Sequence, residues 1–157
     1  IACVGSESDH WPEFQLRHAG YVRALRDAGI EPDARLLVEA QSSEAAGYEA
    51  ALTLLDTGVE FDAVFAASDR IAFGIIGALR DRGRSVPQDV AVVGFDDIAA
   101  AAYFNPPLTT VQQDTLRAGE MLVANLLRLI AGETPECTLI EPKLVVRASS
   151  GSRAASR

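Results

Sequence analysis

The amino-acid sequence predicts an α/β fold, a parallel sheet with helices on both faces. Short β-branched runs alternate with longer amphipathic ones along the chain, the order that βαβ units produce. Four of the longer stretches stop at a glycine, namely Gly29, Gly58, Gly83 and Gly132, where a left-handed C-cap suits that residue. The short runs are continuously apolar, as strands covered on both faces are.

Taken in order, residues 1–5 (IACVG) form the first strand, and a polar loop, 6–10, follows. A helix then runs from about 12 to 28, with Pro12 suited to its first turn. A short strand is expected over 35–39 and an alanine-rich helix over 43–57. The third strand and helix cover 63–67 and 68–82, and the fourth strand covers 90–95. Pro106 and Pro107 introduce a second β-branched run at 108–111. A strongly apolar helix over about 115–131 and a strand over about 139–146 come last. One domain is expected over 1–150, and 151–157 is expected as a disordered tail.

The chain has 157 residues, 48% hydrophobic and 23% charged, enough for a buried core. Its net charge is −8, so direct binding to a phosphate backbone is not expected of this polypeptide. Cys3 and Cys137 lie far apart; they suggest no disulfide framework and point to a reducing, cytoplasmic compartment. No apolar run approaches the roughly 20 residues that span a bilayer. His and Cys spacings offer no zinc site. Nothing resembles a nucleotide loop, a GxSxG motif or a nucleophile–base pair, so no metal, cofactor or catalysis is expected. The chain starts at Ile1, inside a strand, and reads as a piece of a longer protein.

In a parallel sheet every strand ends on one edge, where open α/β sheets bind ligands. Ser6 follows the first strand, Ser68 and Asp69 the third, and Asp96 and Asp97 the fourth. Arg17 shares a helix face with Phe14 and Tyr21. Set opposite a carboxylate near that edge, its forked donors would grip a polyhydroxylated ligand. Structural roles compete with this reading. Ser68 and one of Asp96 or Asp97 would serve equally as helix N-caps, Arg17 as half of a surface ion pair, and Trp11 as a packing residue instead of a ring stacked on a sugar. Gly74 and Gly77, in AFGIIGAL, read as close-packing positions inside a helix.

Five segments occur in order: LRHAGYVRALRDAG, AVFAASDRIAFGIIGAL, VPQDVAVVGFDD, YFNPPLTTVQQD and LVVRASS. Together they resemble the effector-binding core of the LacI/GalR family of bacterial transcription regulators, over about residues 1–150. The first resembles the family's Arg-x-x-Gly-aromatic helix, the second its (Asn/Ser)-Asp-x-x-Ala-x-Gly helix, and the third its most distinctive strand. The resemblance implies a periplasmic-binding-protein-like fold of two lobes with a small effector between them. It also implies operator DNA as a partner, reached only through a helix-turn-helix headpiece that this chain lacks, and a homodimer. By motif, Arg17, Ser68 and Asp96 fall on effector-contacting positions, with Glu13, Ser42 and Thr115 as further candidates. Some sugar-binding members carry asparagine where Ser68 stands and an aromatic where Ser42 stands, so the effector does not carry over.

The resemblance makes this chain mainly the second lobe. Residues 113–138 would pack on the first lobe, 106–113 would act as a hinge, and 43–57 and 99–104 would be dimer surfaces. Without its lobe the last helix would expose Leu116, Leu122, Leu126 and Ile130. It is therefore expected to fold back on the sheet, swap into a neighbour, or pair with a separate N-terminal fragment. The expected function is the ligand-sensing part of a transcription regulator, with a sugar-like or nucleoside-like effector and no membrane contact. A periplasmic sugar-binding protein of an ABC transporter is the alternative.

Overall fold

The computed structural model describes residues 1–5 and 12–151. Ser6, Trp11 and the loop expected over 6–10 fall outside the described residues, as do 152–157 of the expected tail. The elements are β1 (Ala2–Gly5), α1 (Pro12–Asp27), β2 (Leu37–Glu39), α2 (Glu44–Asp56), β3 (Ala63–Ala66), α3 (Asp69–Asp81) and β4 (Ala91–Val93). After them come β5 (Thr110–Gln112), α4 (Thr115–Ile130) and β6 (Lys143–Val145).

β1 to β4 form one parallel sheet in the order β2-β1-β3-β4, with Val4 beside both Val38 and Ala66, and Val64 beside Val92. The expected fold class is therefore the observed one. Alternate strand residues go to opposite faces. Ala2, Val4, Val64, Ala66 and Val92 pack with Leu54, Ile71 and Ile75 of α2 and α3. Cys3, Leu37 and Phe65 turn the other way, to Tyr21 and Leu25 of α1. Fully buried side chains such as Leu54, Ile75 and Leu79 each contribute about 1.5–3 kcal/mol relative to exposure. Gly29, Gly58, Gly83 and Gly132 all have positive φ just past their helices, as the sequence predicts.

Three segments differ from expectation. Over 35–39 the strand is shortened, because a 3-10 turn (Ala34–Leu36) precedes it. Asp33 accepts a bond from the Arg35 backbone N–H at 2.9 Å and holds its guanidinium at 2.6 Å, and such local bonds compete with a ladder. The run at 108–111 shifts to β5, and the last strand contracts to β6. These two pair antiparallel with each other, Val111 opposite Leu144, instead of extending the parallel sheet. Only Val93–Thr109 and Asp96–Gln112 bridges lay β5 and the residue before it along the end of β4.

α2 and α3 touch backbone to backbone. A Cβ on Gly74 would overlap the carbonyl oxygen of Glu44, and one on Gly47 the carbonyl oxygen of Ile71. Close packing is thus the role of Gly74. Gly77 is different, because its Cβ would meet only Tyr48 Cδ2 at 3.7 Å, an ordinary contact.

No residue of α4 is buried; Leu116, Leu122 and Ile130 are each more than 70% exposed. Folding back on the sheet, one of three fates expected for this helix, is not what the structure adopts. Asp114 caps its start by accepting from the Arg117 backbone N–H at 2.9 Å. Among the described residues, no helix is long and apolar enough to cross a membrane.

Candidate ligand-binding cleft

The cleft lies at the carboxyl edge of the sheet and is built on the turn after β4. Gly94 opens that turn because a Cβ there would meet Leu108 Cδ2 at 2.9 Å and collide with the Asp69 carboxylate. Asp96 and Asp97 then take φ of 115° and 53°. Two successive aspartates at positive φ carry a conformational cost, and such strain clusters at functional sites. Neither serves as the helix N-cap that sequence reasoning offered as an alternative. The 3-10 turn that follows (Ala99–Ala102) has Ile98 at its cap position, with no side-chain bond.

This backbone sends the two carboxylates to different partners. Asp97 pairs with Arg147 at 2.7 Å and accepts from the Gln112 amide at 2.8 Å. Asp96 faces Arg17, its Oδ1 3.5 Å from the guanidinium Nη2, and accepts from the Gln113 amide at 3.0 Å.

Arg17 is held on three sides. Its Nη1 donates to the Ala67 carbonyl at 2.6 Å, and its guanidinium lies 3.8 Å from the centre of the Phe95 ring and 5.1 Å from that of Phe14, a cation–π stack. Burial pushes the guanidinium below its ordinary value, opposed by Asp96 and Glu13. Burial also pushes the Asp96 carboxyl up, opposed by Arg17 and the Gln113 bond. In both groups desolvation outweighs the partner. At 3.5 Å the ion pair is long, which leaves donor and acceptor capacity for a third molecule.

Around this pair is a cleft of about 580 Å³, lined by Glu13, Phe14, Arg17, Gln41, Ser42 and Asp96. Ser68 stands one layer behind. It caps α3 by accepting from the Ile71 N–H at 3.3 Å, and the Ser42 hydroxyl donates to it at 2.8 Å. Only 1% of Ser68 is exposed, so it holds Ser42 toward the cleft. The structure thus brings together Arg17, Asp96, Glu13 and Ser42, with Ser68 behind them. Thr115 is not brought in: it is the exposed first residue of α4 and does not line the cleft. A second hollow of about 280 Å³ lies beneath α1, lined mainly by apolar residues such as Leu37 and Phe65. Arg17 and Asp96 do not reach it.

Sequence reasoning missed Phe95 and Gln113, and it set Asp69 at the sheet edge without finding its partners. Phe95 and Gln113 adjoin or lie near motif residues already singled out, but nothing local signals their contacts. Asp69 has no exposed surface. It accepts from the Thr110 hydroxyl and, at 2.8 Å, from the Ile98 N–H.

A parallel α/β lobe with an arginine–carboxylate pair over an aromatic ring at its sheet edge has the architecture of a periplasmic-binding-protein-type lobe, and folds of this kind take ligands at that edge. Residues 1–150 match the periplasmic binding protein-like domain family. The chain is 40% identical over 130 residues to the HTH-type transcriptional regulator RegA of Clostridium saccharobutylicum, which covers 83% of this chain and 39% of that protein. The structure of a CelR–cellobiose complex superposes with a TM-score of 0.86 at 39% identity, over 95% of this chain and 46% of that one. That of the lac repressor dimer bound to operator and the anti-inducer ONPF superposes with 0.89 at 31%, over 97% and 52%. The chain belongs to the LacI/GalR family of transcription regulators. It spans about two fifths of the length of curated relatives such as RegA.

Proposed function

We propose that this chain is the ligand-sensing lobe of a LacI-type regulator and that its cleft receives a neutral, polyhydroxylated effector, a sugar or nucleoside. The observation that carries this reading is the Arg17–Asp96 pair, 3.5 Å apart and half-buried over Phe95. A hydroxyl donates and accepts at once, so adjacent hydroxyls satisfy a carboxylate and a guanidinium together. Phe95 and Phe14 are already engaged with Arg17.

Charge argues for a neutral ligand. The cleft has Glu13 and Asp96 against Arg17, and the neighbouring Asp97 is already neutralised by Arg147. A phosphate or carboxylate would meet like charges with one cation to oppose them. The CelR–cellobiose complex among the solved relatives supports a sugar-like effector of this class.

In the intact protein, a first lobe would close this cleft from above and cover the apolar face of α4. Operator DNA would be reached through a headpiece outside this chain, as a cytoplasmic homodimer paired through α2 and 99–104. The lac repressor relative, a dimer on its operator, supports that arrangement. The segment 106–113 would carry the crossing to the first lobe, and its residues up to Gln113 are tied to this one. Thr109 is bonded to Arg147 and Ser149, and Thr110 to Asp69, which fixes these two residues to the lobe. Relatives that are transcription regulators favour this reading over an uptake protein.

A thermal-shift screen against sugars, nucleosides and their phosphates checks it. A neutral polyol at a hundredfold excess over Kd is expected to add about 2.7 kcal/mol, or roughly 5–10 °C in a domain of this size. Stabilisation by phosphorylated compounds alone would refute the neutral class.

A further inference from the structure

We infer that Gln113 is a positioning residue of the effector cleft, holding one oxygen of Asp96 so that the other is presented to ligand. The inference rests on the proposal that Asp96 binds the effector. A carboxylate attached by a single bond turns freely in water, and either oxygen can then point at a ligand. Here Oδ1 accepts from the Gln113 amide at 3.0 Å and is also the oxygen facing Arg17. Oδ2 accepts from no described residue.

Gln113 acts from outside the sheet edge that makes the cleft. It follows β5 directly, and Gln112, one residue earlier, bonds Asp97. Neighbouring residues of an extended chain point to opposite sides, so these two glutamines reach the two aspartates from one segment. The Asp96 backbone N–H also donates to the Val111 carbonyl at 2.9 Å. The strained pair is therefore held by side chains and backbone of the crossover segment.

An amide suits this task better than a charged group. It fixes the carboxylate and leaves its charge free to accept a ligand hydroxyl. A lysine would form an ion pair with it.

An NMR pH titration of the Asp96 carboxyl, in the whole chain without ligand, tests this. The groups around that carboxyl are Arg17 and Glu13 from α1, Asp69 from α3, its neighbour Asp97, and Gln113 itself. In Gln113→Leu the lost bond is expected to move the Asp96 midpoint upward. In Gln113→Lys the added cation is expected to move it downward. The thermal midpoint of Gln113→Leu should fall only slightly, because Gln113 is exposed and its bond to Asp96 is open to solvent. Midpoints that stay fixed, or move the same way in both variants, would overturn the proposal. No ligand is involved, so a flat titration leaves the effector reading standing, and a screen without a hit leaves the Gln113 result standing.

Discussion

Gly74→Ala is expected to destabilise the chain by about 3 kcal/mol, the upper range for overpacking a core. The added methyl would overlap the Glu44 carbonyl oxygen and come within 2.6 Å of the Tyr48 backbone nitrogen. Both obstacles are main chain of α2, so no side chain can turn aside and the helices must separate. Separation would loosen the cluster that includes Leu54, Ile71 and Ile75. Gly77→Ala is the control. It lies one turn away on the same helix, meets only the edge of the Tyr48 ring, and gains the helix propensity of alanine, about 0.5–1 kcal/mol. Urea denaturation of both variants measures the contrast; similar midpoints for the two would contradict helix contact through backbone.

Asp69→Ala carries the second large effect, also about 3 kcal/mol. The side chain is fully buried and accepts from the Ile98 N–H and the Thr110 hydroxyl. Its removal orphans two donors, each at roughly 1–3 kcal/mol, and the Thr110 bond spans the junction between α3 and β5. Asp69→Asn keeps the shape and an acceptor oxygen, and is expected to cost less.

Removing the Asp69 carboxyl also changes how stability depends on pH. Burial pushes the Asp69 carboxyl above its ordinary range, opposed by its bonds to Thr110 and Ile98, and Asp96 and Asp97 add to the rise. With the folded value above the unfolded one, the stability linked to this proton is present below the ordinary aspartate range. It is lost as pH rises through the raised value. Asparagine has no such proton to lose. The stability of Asp69→Asn relative to the native chain is therefore expected to improve as pH rises from the ordinary aspartate range through the raised value. A difference that stays constant over that range would contradict the burial argument.

Residues that act through local patterns were legible in the sequence. The alternation of strand and helix, the glycines that end helices and the Arg17 face between Phe14 and Tyr21 behave as their spacing implies. Arg17 and Asp96 do meet, since parallel topology puts both on one edge. What was not legible depends on distance or backbone. Asp69 finds Thr110 across 41 residues, and no local pattern links them. Asp96 and Asp97 read as an undivided acidic pair, and only their positive φ sends one to Arg17 and the other to Arg147. Ser68 takes the structural reading, its oxygen capping α3, and it also accepts from the Ser42 hydroxyl. β5 and β6 are β-branched like the other strands, but they pair with each other after a long excursion through α4.

The central claim is that Arg17 and Asp96 together bind the effector. Calorimetric titration of the strongest neutral stabiliser into the native chain, Arg17→Ala and Asp96→Ala tests it most directly. A hydrogen bond to a charged group contributes about 1.5–3 kcal/mol, so each variant should lose roughly tenfold to a hundredfold in affinity. Affinity retained in both variants would contradict the account.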